Sequence, residues 1–308
     1  MSGRPNNYDL LVITGPTASG KTSLAAAVAF KLDGEIISAD SRQVYRQMNL
    51  GTGKDYGDYI TGEKKIPCHL IDIADPGYKY NVFEYQRDFV NVLNDLRLRN
   101  KFPVVCGGSG MYIDAIVSGY RMIEVPPDPL LRASLEGKSM EELIEILSSF
   151  KKLHNKTDID TKKRAIRAIE IERNKGDVNE KQNQFPLTRP LIAGVTFSRE
   201  RRRERISERL KQRFDEGMEE EVRQLLKQGI DPETLIYYGL EYKYITLFIT
   251  GRLSYSAMFM SLETAIHQFA KRQMTWFRGM EKREIKIHWI DGELPMKEKV
   301  EKVLGLLF

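Results

Sequence analysis

Cysteine is nearly absent from this chain: Cys68 and Cys106 are the only two in 308 residues. Two are too few for a disulfide framework or a cysteine-rich zinc site. Both stand in apolar surroundings, Ile66-Pro67-Cys68 and Val104-Val105-Cys106, which favours inert burial. Long hydrophobic runs are missing too. No stretch approaches the roughly 20 apolar residues that span a bilayer. The first residues, Met1-Ser2-Gly3-Arg4-Pro5-Asn6-Asn7, lack the apolar centre of a signal peptide. These absences exclude a disulfide-stapled secreted module and a helical membrane protein. A cytoplasmic, metal-light protein is the expectation.

Charge of one sign is in mild excess, with 48 Lys and Arg against 43 Asp and Glu. Its distribution says more: basic residues concentrate at 162–167, 199–213 and 271–286, while 1–30 is almost neutral. Such clusters favour a polyanionic partner, with solvated helix faces as the plain alternative.

What is present is a complete G-x-x-x-x-G-K-T loop, Gly15-Pro16-Thr17-Ala18-Ser19-Gly20-Lys21-Thr22, directly after the apolar run Leu10-Leu11-Val12-Ile13. A buried strand followed by such a turn offers backbone N–H groups to a diphosphate. Lys21 reaches the outer phosphate, Thr22 offers its hydroxyl to Mg²⁺, and a helix N-terminus adds partial positive charge. Further strands are expected at 35–38, 69–73 and 102–106, with helices starting near Lys21, Asn81 and Met111. The pattern is α/β: a P-loop-type parallel sheet covered by helices, with a small helical insertion domain. The expected division is a catalytic core, first part, at 1–119, a helical insertion at 120–190, and a core continuation with long basic helices at 191–308. A loose polar stretch, Gly176–Arg189, precedes a strand at 191–195.

Ser198 is placed to cap a helix running to about Gln228, with the apolar stripe Ile206, Leu210, Phe214, Met218, Val222 and Leu225. Arg202, Arg205, Arg209 and Arg213 share an adjoining strip. The first two read as solvated. Arg209 and Arg213, beside the core stripe, are the ones a fold can hold against a phosphate. A second helix covers about Ser256–Gly279 and mixes Lys271, Arg272 and Arg278 with Trp276 and Phe277. That composition suits single-stranded nucleic acid or, for the two rings, an amphipathic core.

A nucleotide hydrolase needs a second apolar strand ending in Asp to hold Mg²⁺ and position water. Pro103-Val104-Val105-Cys106-Gly107-Gly108 carries no acid, and Asp72 in Leu70-Ile71-Asp72-Ile73 is followed by more apolar sequence. The hydrolase reading weakens and a transferase is left. Asp40, after Ile36-Ile37-Ser38-Ala39, faces the same crevice. It could bind metal, cap the next helix, or accept a proton.

Ser38-Ala39-Asp40-Ser41-Arg42-Gln43-Val44-Tyr45, taken with the loop, resembles the tRNA dimethylallyltransferase family, bacterial type. Agreement extends through His69–Ile73, Gly107–Tyr112, Arg164–Glu170, Tyr238–Tyr242 and Ala270–Arg278. The resemblance implies transfer of a dimethylallyl group from dimethylallyl diphosphate to N6 of adenine 37 in tRNA. It further implies that the loop Gly15–Thr22 binds diphosphate with Mg²⁺ on Thr22, and that Asp40 takes the N6 proton. Ser109 stands where the family commonly has Thr and donates to the leaving group. Arg213 matches a diphosphate-binding arginine, with Arg209 the alternative. Contacts to tRNA fall to Asp40, Ser41, Arg42 and Gln43, to Lys163, Arg164 and Arg167 of the insertion, and to Lys271, Arg272, Gln273 and Arg278. The insertion would grip the anticodon stem. The absence of a Cys/His module near Phe308 distinguishes the chain from eukaryotic relatives, and a monomer is expected. An adenylate isopentenyltransferase acting on free AMP or ATP, a small-molecule P-loop kinase and an RNA-binding regulator are the alternatives.

Overall fold

In a computed structural model, which describes residues 7–119, 122, 124–153, 157–174 and 185–308, the apolar runs become short strands. They are β1 (Leu10–Thr14), β2 (Gly34–Ser38), β3 (Ile60–Thr61), β4 (Lys64–Lys65), β5 (Cys68–His69), β6 (Phe102–Gly107), β7 (Pro190–Thr196) and β8 (His288–Asp291). Six form one parallel sheet in the order β5-β2-β6-β1-β7-β8, and β3 and β4 make a separate antiparallel pair. β1 is central. Leu11 stands opposite Val104 of β6 and Leu191 of β7, and all five β1 residues are buried. A parallel strand covered on both faces needs that unbroken apolar run. The register brings the ends of β1 and β6 level, and the Thr14 hydroxyl donates to the Gly107 carbonyl at 3.0 Å.

Helix α1 (Lys21–Lys31) buries Leu24, Ala25, Ala26, Val28 and Ala29, small side chains that let it lie close to the sheet. Helix α2 (Val82–Leu98) starts at a capping box, Asn81 with Glu84. Helix α3 (Gly110–Val117) follows β6. The residues within Tyr120–Phe185 form a compact unit of their own, and the rest of the described chain forms the other. In the smaller unit, α4 (Pro129–Glu136), α5 (Met140–Phe150) and α6 (Lys162–Arg173) bury Leu131, Leu135, Leu143, Leu147, Ala165 and Ile169 against one another.

In the larger unit β7 leads into α7 (Arg199–Asp215), α8 (Met218–Lys227), α9 (Pro232–Tyr238), α10 (Leu240–Ile249) and α11 (Tyr255–Glu281). The expected apolar stripe of 206–225 is there, and it packs with Tyr45, Met48, Tyr242, Leu262 and Ile266 in a second core. Helix α12 (Met296–Leu307) closes the first core through Val300, Val303 and Leu307. Among the described residues no helix is long and apolar enough to cross a membrane.

Two expectations need correction. The helix from Ser198 does not run unbroken to Gln228: it stops at Asp215, and Gly217 at φ +98° turns the chain before α8 begins. Left-handed φ is open to glycine without steric cost, and the break keeps the apolar stripe on the core side. The strand expected at 69–73 ends at His69, because Leu70 and Asp72 take φ of +58° and +54°. The Asp72 and Ile73 amides then donate to the carbonyls of Gln43 and Val44 instead of a strand partner. Of the polar stretch Gly176–Arg189, residues 176–184 lie outside the described residues.

The smaller unit depends on a buried carboxylate. Glu170 accepts from the Asp128 amide at 2.6 Å, from Arg132 at 2.9 Å and from Arg167. Burial alone would raise its pKa, but these donors outweigh burial and hold it at about 2. A folded-state pKa below the ordinary carboxylate value gives stability that is present above pH ~4.5 and is lost as pH falls through about 2. Glu170→Gln is therefore expected to cost about 2 kcal/mol, read as lower amide-exchange protection in α4 and α6. Wild-type protection should hold from pH 5 to 8. Unaltered protection in Glu170→Gln would show that the donors do not need the charge.

Candidate active site

Three strands of the sheet end in polar or glycine-rich loops, and the loops converge. Gly15–Gly20 follows β1, Ala39–Gln43 follows β2, and Gly108-Ser109 follows β6. They open on one cavity of about 810 Å³, whose lining includes Lys21, Thr22, Asp40, Ser109, Arg209 and Trp276. Gly15 sits at φ +153°, and a Cβ there would come within 2.5 Å of the Val195 carbonyl, so the turn requires glycine. Helix α1 begins after Gly20 with no side-chain cap, which leaves its first amides for a ligand. Lys21 is half-buried in this turn. Loss of hydration lowers its pKa, with nearby Cys106 and Asp40 acting in the opposite sense. Cys106 also lines the cavity, and burial pushes its thiol up to about 12.

Contrary to one expectation, no helix follows Asp40 for it to cap; with one oxygen it caps a turn instead. Its Oδ1 accepts from the amides of Arg42 at 2.9 Å and Gln43 at 3.4 Å. Its Oδ2 makes no hydrogen bond among the described residues, and the side chain lines the cavity. Ser109 ties two loops together: its Oγ accepts from the Ser41 amide at 2.9 Å, and its own amide donates to the Ala39 carbonyl at 3.2 Å.

A side chain that joins two of these loops comes from far away. Gln273 on α11 accepts from the Thr17 amide at 2.9 Å and donates through Nε2 to the Gly108 carbonyl at 2.8 Å. One buried carboxamide thus bridges the loop after β1 and the loop after β6. Trp276, one turn on, packs against Gly110 and lines the cavity, while Phe277 is fully buried.

The arginines separate. Arg205, expected to be solvated, donates from Nε to the Ala18 carbonyl at 2.9 Å and stacks over Phe197. Arg209 lines the cavity and pairs with Asp55 at 2.9 Å. Arg213 stands behind it, almost wholly buried, with both Asp55 oxygens at 2.7 and 2.9 Å and the Leu50 carbonyl as partners. It reaches only a side recess of about 60 Å³. Of the two alternatives for a diphosphate contact, Arg209 is the one at the cavity wall.

The other expected residues fall into two groups. Ser41, Arg42, Gln43, Arg272 and Gln273 line the cavity, whereas Lys271 and Arg278 are exposed elsewhere on α11. In the smaller unit Lys163 and Arg164 are exposed on α6, Arg164 pairing with Asp160 at 2.8 Å. Arg167 is occupied internally by Glu170 and the Val125 carbonyl. Among the described residues no group of three or more His, Cys, Asp or Glu side chains gathers to hold a metal ion.

Sequence reasoning missed Lys54 and Asp55. Buried Lys54 donates to the Tyr45 carbonyl and to Asp72, and Asp72 also accepts from Tyr56 at 2.5 Å. This network anchors the segment that follows Asp40 from beneath. The run Gly51-Thr52-Gly53-Lys54-Asp55 was the available signal, but only the fold shows what Lys54 and Asp55 touch.

Comparison with known proteins gives concordant matches. A family model described as IPP transferase matches residues 43–280, and one described as isopentenyl transferase matches residues 8–72. The chain is 61% identical over 300 residues to tRNA dimethylallyltransferase 2 of Phocaeicola vulgatus, covering 97% of this chain and 98% of that one. Its fold is similar to the full-length tRNA isopentenylpyrophosphate transferase of Bacillus halodurans, with TM-score 0.71, 27% identity, and coverage of 97% and 95%. The corresponding transferase of Staphylococcus epidermidis gives TM-score 0.67 at 30% identity, with coverage of 97% and 98%.

If Gln273 holds the two loops in place, Gln273→Ala should weaken binding of inorganic pyrophosphate by on the order of 10-fold, consistent with losing two buried hydrogen bonds. Calorimetric titration would measure this, with the melting temperature as the control for folding. Unchanged pyrophosphate affinity would mean that the loops hold their shape without the bridge.

Proposed function

Because the chain belongs to the IPP transferase family, whose named relatives are tRNA dimethylallyltransferases, we propose that its cavity brings dimethylallyl diphosphate against N6 of adenine 37 in tRNA. The chain is a prenyl transferase that modifies tRNA, and its family sets aside the free-adenylate and kinase readings. The observation that carries the assignment of the cavity is the convergence of Thr17–Thr22, Asp40 and Ser109 on one space.

In this reading the loop amides, Lys21 and Arg209 hold the diphosphate. The N6–C bond forms as the allylic C–O bond breaks, and diphosphate leaves with the electron pair. Charge that develops on the leaving oxygen meets donors already in position. Asp40, with Oδ2 available, orients the exocyclic amine and takes its proton. The N6 lone pair is delocalised into the purine, so orientation matters as much as basicity. Ser109 supplies a hydroxyl to the leaving group. The adenine must leave its stack to reach Asp40.

The residues fit Mg²⁺. Sites for this ion usually combine one or two protein oxygens with substrate phosphates, and Thr22 supplies a hydroxyl oxygen at the cavity wall. When bound, the ion offsets charge on the diphosphate. Exposed Lys163, Arg164, Lys271, Arg272 and Arg278 add cationic surface for the anticodon stem-loop. The enzyme acts as a cytoplasmic monomer in this reading.

Asp40→Asn keeps an oxygen for the Arg42 and Gln43 amides while removing the base. It should lower kcat by about 10²–10⁴-fold with both KM values within a few-fold, as measured by mass spectrometry of prenylated tRNA. Full turnover would remove Asp40 from the proton-accepting role. Affinity for tRNA should fall steeply and log-linearly with salt, and a flat response in filter binding would count against phosphate-based recognition.

A further inference from the structure

Beside the cavity, on the Asp40 side, lies an exposed aromatic ring with two cations on it. Tyr237, at the end of α9, is 48% exposed. The Arg42 guanidinium and the Lys79 ammonium each lie 5.6 Å from its ring centroid. Neither cation is in an ion pair among the described residues, unlike most arginines of this chain. The ring is held from behind. Its neighbour Tyr238 is buried, packs on Tyr45 at 4.5 Å, accepts from the Gly77 amide and donates to the Tyr78 carbonyl. Tyr237 meets Tyr238 edge-on at 5.9 Å.

Its distance from the chemistry is short. The Arg42 amide is bonded to Asp40, its side chain lines the cavity, and Gly239, two residues after Tyr237, lines the cavity as well. A flat ring carrying two unneutralised cations fits a ligand that is both planar and anionic. Bases stack on aromatic rings and guanidinium planes, and the ammonium meets phosphate. An acidic peptide would satisfy the cations but leave the ring uncovered.

We propose that Tyr237, with Arg42 and Lys79, forms a stacking subsite for the nucleobase adjoining the target adenine. A target base drawn into the cavity leaves its neighbour unstacked at the entrance, and this subsite replaces the lost stacking partner. The tyrosine ring and the guanidinium take the base, and Lys79 takes a flanking phosphate. The proposal rests on the tRNA-modifying reading and names a contact within it.

The test uses the full chain and a labelled anticodon stem-loop RNA, with binding read by fluorescence anisotropy and turnover read separately. Tyr237→Ala should weaken RNA binding by on the order of 10-fold, and Tyr237→Phe, which keeps the ring, should restore it. The KM for dimethylallyl diphosphate should stay within two-fold in both variants. An abasic substitution beside the target adenine, on one of its two sides, should weaken binding to wild type but add nothing to the Tyr237→Ala defect. Equal losses in Tyr237→Ala and Tyr237→Phe, or an abasic effect undiminished in Tyr237→Ala, would overturn the proposal. So would unchanged RNA affinity in Tyr237→Ala. Failure of wild type to bind or prenylate the RNA would instead sink the functional reading itself, and the proposal with it.

Discussion

The arrangement of the site depends on one carboxamide. Gln273 accepts from the amide of Thr17, 256 positions earlier in the chain, and donates to the carbonyl of Gly108, 165 positions earlier. Both partners are backbone groups in glycine-rich loops, of which the first packs through Ala18 in the second core. A loop built from such residues has many conformations, and only an outside restraint selects one. The restraint is α11, whose Leu262, Ile266, Ala270 and Phe277 are buried in the core. Docking of that helix and assembly of the cavity are therefore one event. Gly108 shows how close the fit is, since a Cβ there would lie 2.6 Å from the Gln273 nitrogen.

Charge is layered around the cavity. Lys21, Arg209 and Asp55 all line the space, and Asp55 pairs with Arg209 and with the buried Arg213. Asp55 fixes the guanidinium in direction and tempers its attraction for an anion. A diphosphate must leave as product as readily as its ester arrives, so moderated affinity suits turnover. Lys21 is held differently, by burial that disfavours its charge until an anion fills the turn.

Much of this was legible in the sequence, for identifiable reasons. The strand, turn and helix around Gly15–Thr22 follow from an apolar run, glycine spacing and an alanine-rich stretch, all local signals. Asp40 and Ser109 were found because they end strands, and parallel strands end on one side. Two boundaries failed where a single residue overrode a periodic pattern: Gly217 broke an otherwise continuous helix, and Leu70 and Asp72 took left-handed backbone inside an apolar run. Gln273 was marked for tRNA, but its bridge between the two loops follows from tertiary packing alone. Arg205 and Arg213 both departed from their expected settings because helical spacing says which residues share a face, without saying what that face meets. Arg205 met the Ala18 carbonyl, and Arg213 met Asp55.

Cys106 gives the chemistry an unstated safeguard. An allylic diphosphate is an alkylating agent, and sulfur is the softest nucleophile that could intercept it. Here a sulfur stands in the wall of the reaction chamber. With burial pushing its thiol up to about 12, the reactive thiolate is strongly disfavoured. With the diphosphate placed here as proposed, burial would spare the enzyme from prenylating itself. It lets the second-row side chain that fits the packing between β1 and β2 persist beside a reactive carbon. A substitution that let water in beside Cys106 would turn an inert wall atom into a site of slow self-inactivation, visible as a mass increase of one prenyl group.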